Sequence, residues 1–188
     1  MRITGGEFCG QKIRVPGGQK VRPTGDKVRK ALFSILAAKI PGCRFLDLFA
    51  GSGAVGLEAL SRQADCVWWV ESDSTVFPVL KDNVSRLAGE TGRVRVIRQD
   101  VIRFLQRPLA QAGSFDVVFA DPPYDREGTS PLARKALQAA EAGHILARNG
   151  IFVMEQAAGE DVPVCDAWCL KAHKTYGETR LLFWGNRE

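Results

Sequence analysis

From Arg44 onward the chain alternates short apolar runs with amphipathic ones, and that alternation restricts the fold more than any other feature of its 188 residues. Strand-like segments at Arg44–Phe49, Cys66–Glu71, Val94–Arg98, Phe115–Ala120 and Ile151–Glu155 are separated by helix-like segments. The helical segments run over Ala54–Gln63 and Thr75–Leu87, from Val101 onward, and over Leu132–Ala142. Parallel strands need a crossover of a dozen or more residues between them, usually a helix. Strict βα alternation therefore predicts an α/β fold with a parallel, doubly wound sheet and helices on both faces. Two last strands, about Cys169–Thr175 and Arg180–Trp184, read as a closing antiparallel pair joined around Gly177. Ligands of such sheets bind at the carboxyl ends of the strands, and site residues are expected there.

The N-terminal part has a different character. Residues 1–21 are rich in glycine and basic residues and suggest a small β-ribbon or an extended arm. Arg22-Pro23-Thr24 then precedes a helix with Val28, Ala31, Leu32, Ile35 and Leu36 on its apolar face. Thr24 or Asp26 is placed to cap its start, and Pro41-Gly42 ends it. The expected organisation is a basic arm and helix over residues 1–43 and one compact unit over 44–188.

Charge placement supports that division. The first 44 residues carry ten Lys and Arg against Glu7 and Asp26, or +8, whereas the whole chain is +5 and the remainder therefore −3. A basic arm on a mildly acidic body points to a polyanionic partner, because phosphate contacts dominate nucleic-acid affinity. Lys12, Arg14, Lys20, Arg22, Lys27 and Arg29 are the candidate nucleic-acid contacts. No apolar run approaches the ~20 residues of a membrane span, and the start lacks a signal-peptide pattern, so a cytoplasmic protein is expected. The five cysteines are scattered with no C-x-x-C pair, which suits reduced thiols. Cys165, Cys169 and His173 recur every four residues, yet they offer only three ligands in a segment that reads as a strand, and no metal is expected.

The run Leu46-Asp47-Leu48-Phe49-Ala50-Gly51-Ser52-Gly53-Ala54-Val55-Gly56 passes from a strand through a glycine turn into a helix. Glycines at 51, 53 and 56 allow a tight turn and close approach of a nucleotide-like ligand, which alone fits a nicotinamide fold equally well. Asp47 within the strand suits a cationic ligand such as the sulfonium and amino groups of S-adenosylmethionine, and would repel a pyrophosphate. Its alternative is a buried acid held by local backbone donors. Glu71, ending the next strand, can accept hydrogen bonds from ribose hydroxyls. Asp100, after the third strand, can accept from an adenine amino group while Val101 offers its N–H; alternatively it caps the helix that begins at Val101.

Asp121-Pro122-Pro123-Tyr124 follows the fourth strand. Two prolines remove two backbone donors and stiffen the chain, leaving the Asp121 carboxylate and the Pro122 carbonyl as acceptors. That set suits methylation of an aryl amine, whose lone pair is delocalised into the ring. Two acceptors on its N–H groups draw the nitrogen toward tetrahedral geometry, and a carboxylate stabilises the charge that develops there. Tyr124 offers a ring on which an unpaired or flipped base can stack. The bland alternative is a rigid turn.

These motifs together resemble the class I methyltransferases of the amino-methylating branch. ITGGEFCGQKI, VRPTGDKVRKALF and KTYGETRLLF are further similar to the RsmD-type bacterial enzymes, and the resemblance covers nearly the whole chain. It implies a Rossmann-like class I methyltransferase fold with seven strands, the last antiparallel. It implies methyl transfer from S-adenosylmethionine to the N2 amino group of a guanine in small-subunit ribosomal RNA, free or in an assembling subunit. Asp121, Pro122, Pro123 and Tyr124 would form the catalytic loop. Phe49, Ala50, Gly51, Ser52, Gly53, Glu71, Ser72, Asp100 and Val101 would hold the cofactor, with Arg22, Pro23 and Thr24 near its carboxylate end or the RNA entrance. A monomer is expected. The competing readings are a DNA adenine-N6 methyltransferase, for which the short arm leaves little to read a sequence, a nicotinamide oxidoreductase, which would leave the Asp-Pro-Pro-Tyr loop idle, and a non-catalytic RNA-binding module.

Overall fold

A computed structural model describes residues 1–17, 25–89, 92–107, 115–123 and 132–187. Its elements are α1 (Asp26–Ile35), β1 (Arg44–Leu48), α2 (Ala54–Ser61), β2 (Cys66–Glu71), α3 (Phe77–Ala88), β3 (Val94–Arg98) and α4 (Val101–Leu105), followed by β4 (Phe115–Ala120), α5 (Leu132–Ala142), β5 (Leu146–Ala157), β6 (Trp168–Tyr176) and β7 (Thr179–Asn186). One seven-stranded sheet runs in the order β3-β2-β1-β4-β5-β7-β6. Strands β1 to β5 are mutually parallel, and β7 lies antiparallel between β5 and β6. The strand order reverses between β1 and β4, which puts the crevice of a doubly wound sheet at the carboxyl ends of those two strands. The expected β2, β3, β4 and α5 bounds hold to the residue, whereas β5 begins five residues early and β6 and β7 are longer than expected.

The helices divide between the two faces of the sheet. On one face Val28 and Leu32 of α1, Leu57 of α2 and Leu80 and Val84 of α3 pack with Phe45, Val67, Trp69 and Phe119. On the other, Val101 and Phe104 of α4 and Leu137 and Ala140 of α5 pack with Phe115, Phe152 and Trp184. A sheet buried on both faces explains the nearly continuous apolar composition of β1 and β4.

The N-terminal residues form a hairpin with an antiparallel bridge between Arg2 and Lys12, supported by Ile3 N–H to Gln11 O and Ile13 N–H to Met1 O, both 3.0 Å. Ile3 and Ile13 are buried in the core with α1 and α2, so this segment has no core of its own and lies against α2. Gly6, at φ +78°, shows how closely: a Cβ there would stand 2.0 Å from Ser61 O.

Helix α1 corrects two expectations. Its N-cap residue is Gly25, without a side-chain cap, and Asp26 instead meets Arg29 at 3.0 Å. Ile35 is 45% exposed, while Arg29 is fully buried on the inner face. Arg29 is therefore not on an RNA-facing surface. Its guanidinium meets Glu58 of α2 at 3.3 Å and donates to the carbonyl of Arg2 at 2.6 Å. Spacing alone favours the apolar residue inside; a carboxylate and a carbonyl from distant parts of the chain reverse the order.

Candidate active site

The glycine loop takes the shape expected of it. Gly51 and Gly53 have φ of +54° and +80°, the left-handed region that only glycine adopts without penalty. Gly56 serves another purpose: a Cβ there would lie 2.2 Å from Trp69 Nε1, so its absence lets α2 settle against β2. Trp69 Nε1 donates to Gly53 O at 3.3 Å and ties the turn to the sheet. Phe49, also at positive φ (57°), is half-buried at the end of β1. A left-handed phenylalanine costs of order 1–3 kcal/mol and is the kind of strain that gathers at ligand sites.

Glu71, at the carboxyl end of β2, faces this turn. Its Oε2 accepts from Gly51 N–H at 2.9 Å, and Oε1 accepts from Ser72 and Asp73 N–H at 2.7 and 2.8 Å. The carboxylate is half-buried, its position set by three backbone donors, with lone-pair capacity left for a hydroxyl donor. Ala50 N–H to Val70 O (3.1 Å) and Gln99 N–H to Glu71 O (3.1 Å) join the ends of β1, β2 and β3 into one rim.

The other two acids each accept from backbone close by in the chain. Asp47 is 2% exposed, and its Oδ2 accepts from Gly56 N–H at 2.9 Å. One carboxylate oxygen is thus bound to the first turn of α2. Burial pushes its pKa well above the usual carboxylate value; the Gly56 N–H opposes that shift and the charge on Glu71 adds to it. Asp100 caps α4, accepting from Arg103 N–H at 2.9 Å. It remains exposed at the end of β3, with Val101 buried behind it.

The Asp-Pro-Pro segment leaves β4 beside this rim. Leu48 and Ala120 are register partners, and Asp121 N–H approaches Leu48 O at 3.4 Å. The loop and the glycine turn therefore spring from adjacent strand ends. Asp121 is half-buried, Pro122 buried and Pro123 exposed. Pairing of Ala120 with Met154 puts Glu155, 4% exposed, on the neighbouring strand. Tyr124, Lys20, Arg22, Pro23 and Thr24 lie outside the described residues. Of the basic candidates that are described, Lys12, Arg14 and Lys27 are exposed, and Arg14 pairs with Asp82 at 2.9 Å. Cys169 and His173 both fall on β6, and Cys165 and Cys169 contact the backbone carbonyls of Trp168 and Gly185. Burial raises the thiol pKa of Cys165 to about 11 and that of Cys43 to about 12.

Two supporting residues escaped sequence reasoning. Glu58, fully buried on α2, accepts from Thr4 N–H and Oγ1–H at 2.8 Å each, and from Arg62 and Arg29. Asn83, fully buried on α3, donates to Ser52 O in the glycine turn at 2.9 Å and exchanges hydrogen bonds with the backbone of Arg14. The available signal was a polar residue on an otherwise apolar helix face: Asn83 lies three residues from Leu80 and four from Leu87.

A family model described as Conserved hypothetical protein 95 matches residues 1–185. The chain belongs to this RsmD-type family. It is 37% identical to the ribosomal RNA small subunit methyltransferase D of Haemophilus influenzae, over 94% of this chain and 89% of that protein. The Escherichia coli protein of the same name is also 37% identical, over 95% of this chain and 86% of that one. Among solved structures, a Haemophilus influenzae protein provisionally described as a methylase superposes with a TM-score of 0.82 at 34% identity, covering 100% of this chain and 98% of its own. The family fold is thus the Rossmann-like one of class I methyltransferases, with the strand order and antiparallel β7 found here. The site residues described above lie at the strand ends where that fold binds its ligands.

Proposed function

We propose that this methyltransferase moves a methyl group from S-adenosylmethionine to the exocyclic N2 amino group of a guanine in small-subunit ribosomal RNA. The observation that carries the reading is the junction of two loops: Asp121-Pro122-Pro123 leaves β4 beside the strand end from which the glycine turn leaves β1. A donor bound by one loop and an amine held by the other would meet there. The small-subunit substrate rests on the names of the relatives in Haemophilus influenzae and Escherichia coli. The guanine N2 assignment rests on the chemistry of the Asp-Pro-Pro-Tyr motif and on the family resemblance.

The residues present fit the cofactor. The half-buried Glu71 carboxylate, preset by three N–H groups, offers acceptors to a ribose edge, and the left-handed turn at Gly51 and Gly53 gives the ligand close access to backbone. The exposed Asp100 supplies a further acceptor at the end of β3, with Ser72, Ala50, Ser52 and Val101 completing the rim. When bound, S-adenosylmethionine supplies an electrophilic methyl on a sulfonium. The Asp121 carboxylate and the Pro122 carbonyl accept the two amino N–H groups, lift the nitrogen lone pair out of conjugation, and stabilise its developing positive charge. Tyr124 holds the base by its ring face. Lys12, Arg14, Lys20 and Lys27 meet RNA phosphates, and the protein works as a cytoplasmic monomer on the free RNA or the assembling subunit. Among the described residues no helix is long and apolar enough to cross a membrane.

Incubation with tritiated S-adenosylmethionine and unmodified small ribosomal subunits, followed by nucleoside analysis, tests the reading. Label in N2-methylguanosine is the expected result. Label in another nucleoside, or none in protein-free RNA or subunits, would refute it.

A further inference from the structure

The segment that forms β3 and α4 carries a concentration of arginine that the overall charge conceals. Residues 92–107 hold Arg93, Arg95, Arg98, Arg103 and Arg107 against Asp100 alone, and no lysine. That is +4 within a body, residues 45–188, whose net charge is −3. All five are exposed, and among the described residues none is ion-paired with a carboxylate. They are not scattered: β3 is an edge strand of the sheet, and α4 follows it after two residues.

Their roles differ. Arg93 is anchored, donating to the carbonyls of Asp65 and Ala64 at 2.8 Å each. Arg98 is the register neighbour of Glu71 and so belongs to the rim of the cofactor site. Among the described residues, Arg95, Arg103 and Arg107 have no comparable task in the fold. The Arg95 guanidinium sits over the Trp68 ring at 4.5 Å from its centroid. A cation held by a ring face spends none of its N–H donors, and stacking limits its motion. Arg103 lies within α4, and Arg107 follows two residues after its end. Arg107 donates to Gln99 Oε1 at 3.4 Å.

We infer that the Arg95–Arg103–Arg107 surface, at the sheet edge opposite β6, is a docking surface for the phosphate backbone of RNA, separate from the N-terminal hairpin. The inference rests on the RNA reading above and extends it by a second contact region. Arginine, with its rigid fork of donors, suits phosphate oxygens better than a general surplus of charge requires. The lateral distance suits it too. From β3 to β4 is three strand spacings, about 14 Å, so RNA held at Asp121 reaches this edge within a few nucleotides of the target.

The test is the salt dependence of binding to protein-free small-subunit ribosomal RNA, for the full chain and for a variant carrying Arg95→Gln, Arg103→Gln and Arg107→Gln. Each phosphate contact contributes about 0.7 to 0.9 to the slope of log affinity against log salt, so the variant is expected to lose about 2 units of slope. Its cofactor affinity by calorimetry and its melting temperature should match those of the parent, since Arg98 and Glu71 are untouched. An unchanged slope in a folded variant overturns the inference. So does an equal loss of affinity for polyglutamate, which would mark the surface as a site for acidic protein. Should the parent fail to methylate RNA while the variant still loses slope, the proposed activity falls and the docking surface stands.

Discussion

Replacing Glu58 tests how the N-terminal hairpin is attached to the sheet. Glu58 is fully buried, as is Arg29, and the carboxylate takes donors from three separate parts of the chain: Thr4, Arg29 and Arg62. In Glu58→Gln the charge is lost, and one of the two oxygens becomes an NH2 group facing Thr4 or the guanidinium groups. Arg29 keeps Asp26 and the Arg2 carbonyl, but its buried charge loses its buried counter-ion. Removing one partner from a buried pair costs about 3–5 kcal/mol. In a chain of this size each kcal/mol is worth about 2–4 °C of melting temperature, so a drop of about 10–15 °C is expected in thermal melts followed by circular dichroism. The damage should begin at the N-terminus, because each of the two oxygens holds Thr4 and either replacement loses one of those bonds. Trypsin should then cleave at Lys12 and Arg14 before the sheet unfolds. Arg29→Met combined with Glu58→Met should recover part of the loss, since it removes both charges together. A loss below about 1 kcal/mol in Glu58→Gln, or unchanged cleavage at the hairpin, would refute this account of the network.

Three further outcomes follow from the site. Glu71→Ala should weaken S-adenosylmethionine binding in calorimetry by about 1.5–3 kcal/mol and also lower the melting temperature of the ligand-free protein, because Gly51, Ser72 and Asp73 lose their acceptor; unchanged cofactor affinity would exclude it from the cofactor site. The raised pKa of Asp47 means that the folded protein keeps a proton which the unfolded chain releases above pH 3.8, so this group lowers stability as pH climbs from that value through its folded pKa. Asp47→Asn, which keeps an oxygen for Gly56, should flatten that decline in melts taken across pH, and an undiminished decline would show that another group causes it. Asp121→Ala should cut the single-turnover methylation rate far more than cofactor affinity, while Asp121→Asn separates positioning from charge: a loss of ~10²-fold or more points to charge stabilisation, and near-parent activity to positioning.

Much of the fold was legible because its signals are local. The alternation of apolar and amphipathic runs set the number and type of elements after Arg44, and β2, β3 and β4 fall where composition put them. The glycine turn was equally plain, since left-handed backbone at residues 51 and 53 demands a residue without a side chain. The acid at the end of β2 was placed by the same logic: residue type plus strand end. What the chain could not reveal locally is what each polar group meets. Asp47 and Asp100 each had two chemically sound roles, and only the packed chain shows the backbone hydrogen bonds that each accepts, from Gly56 and Arg103. Arg29 looked like a surface cation on a helical wheel, yet it is buried, because Glu58, Arg2 and Asp26 converge on it from distant and neighbouring positions. Helical spacing and strand alternation are periodic properties of a segment and survive in the sequence by themselves. The partner of a buried charge is a property of the packed molecule, and only the tertiary structure decides it.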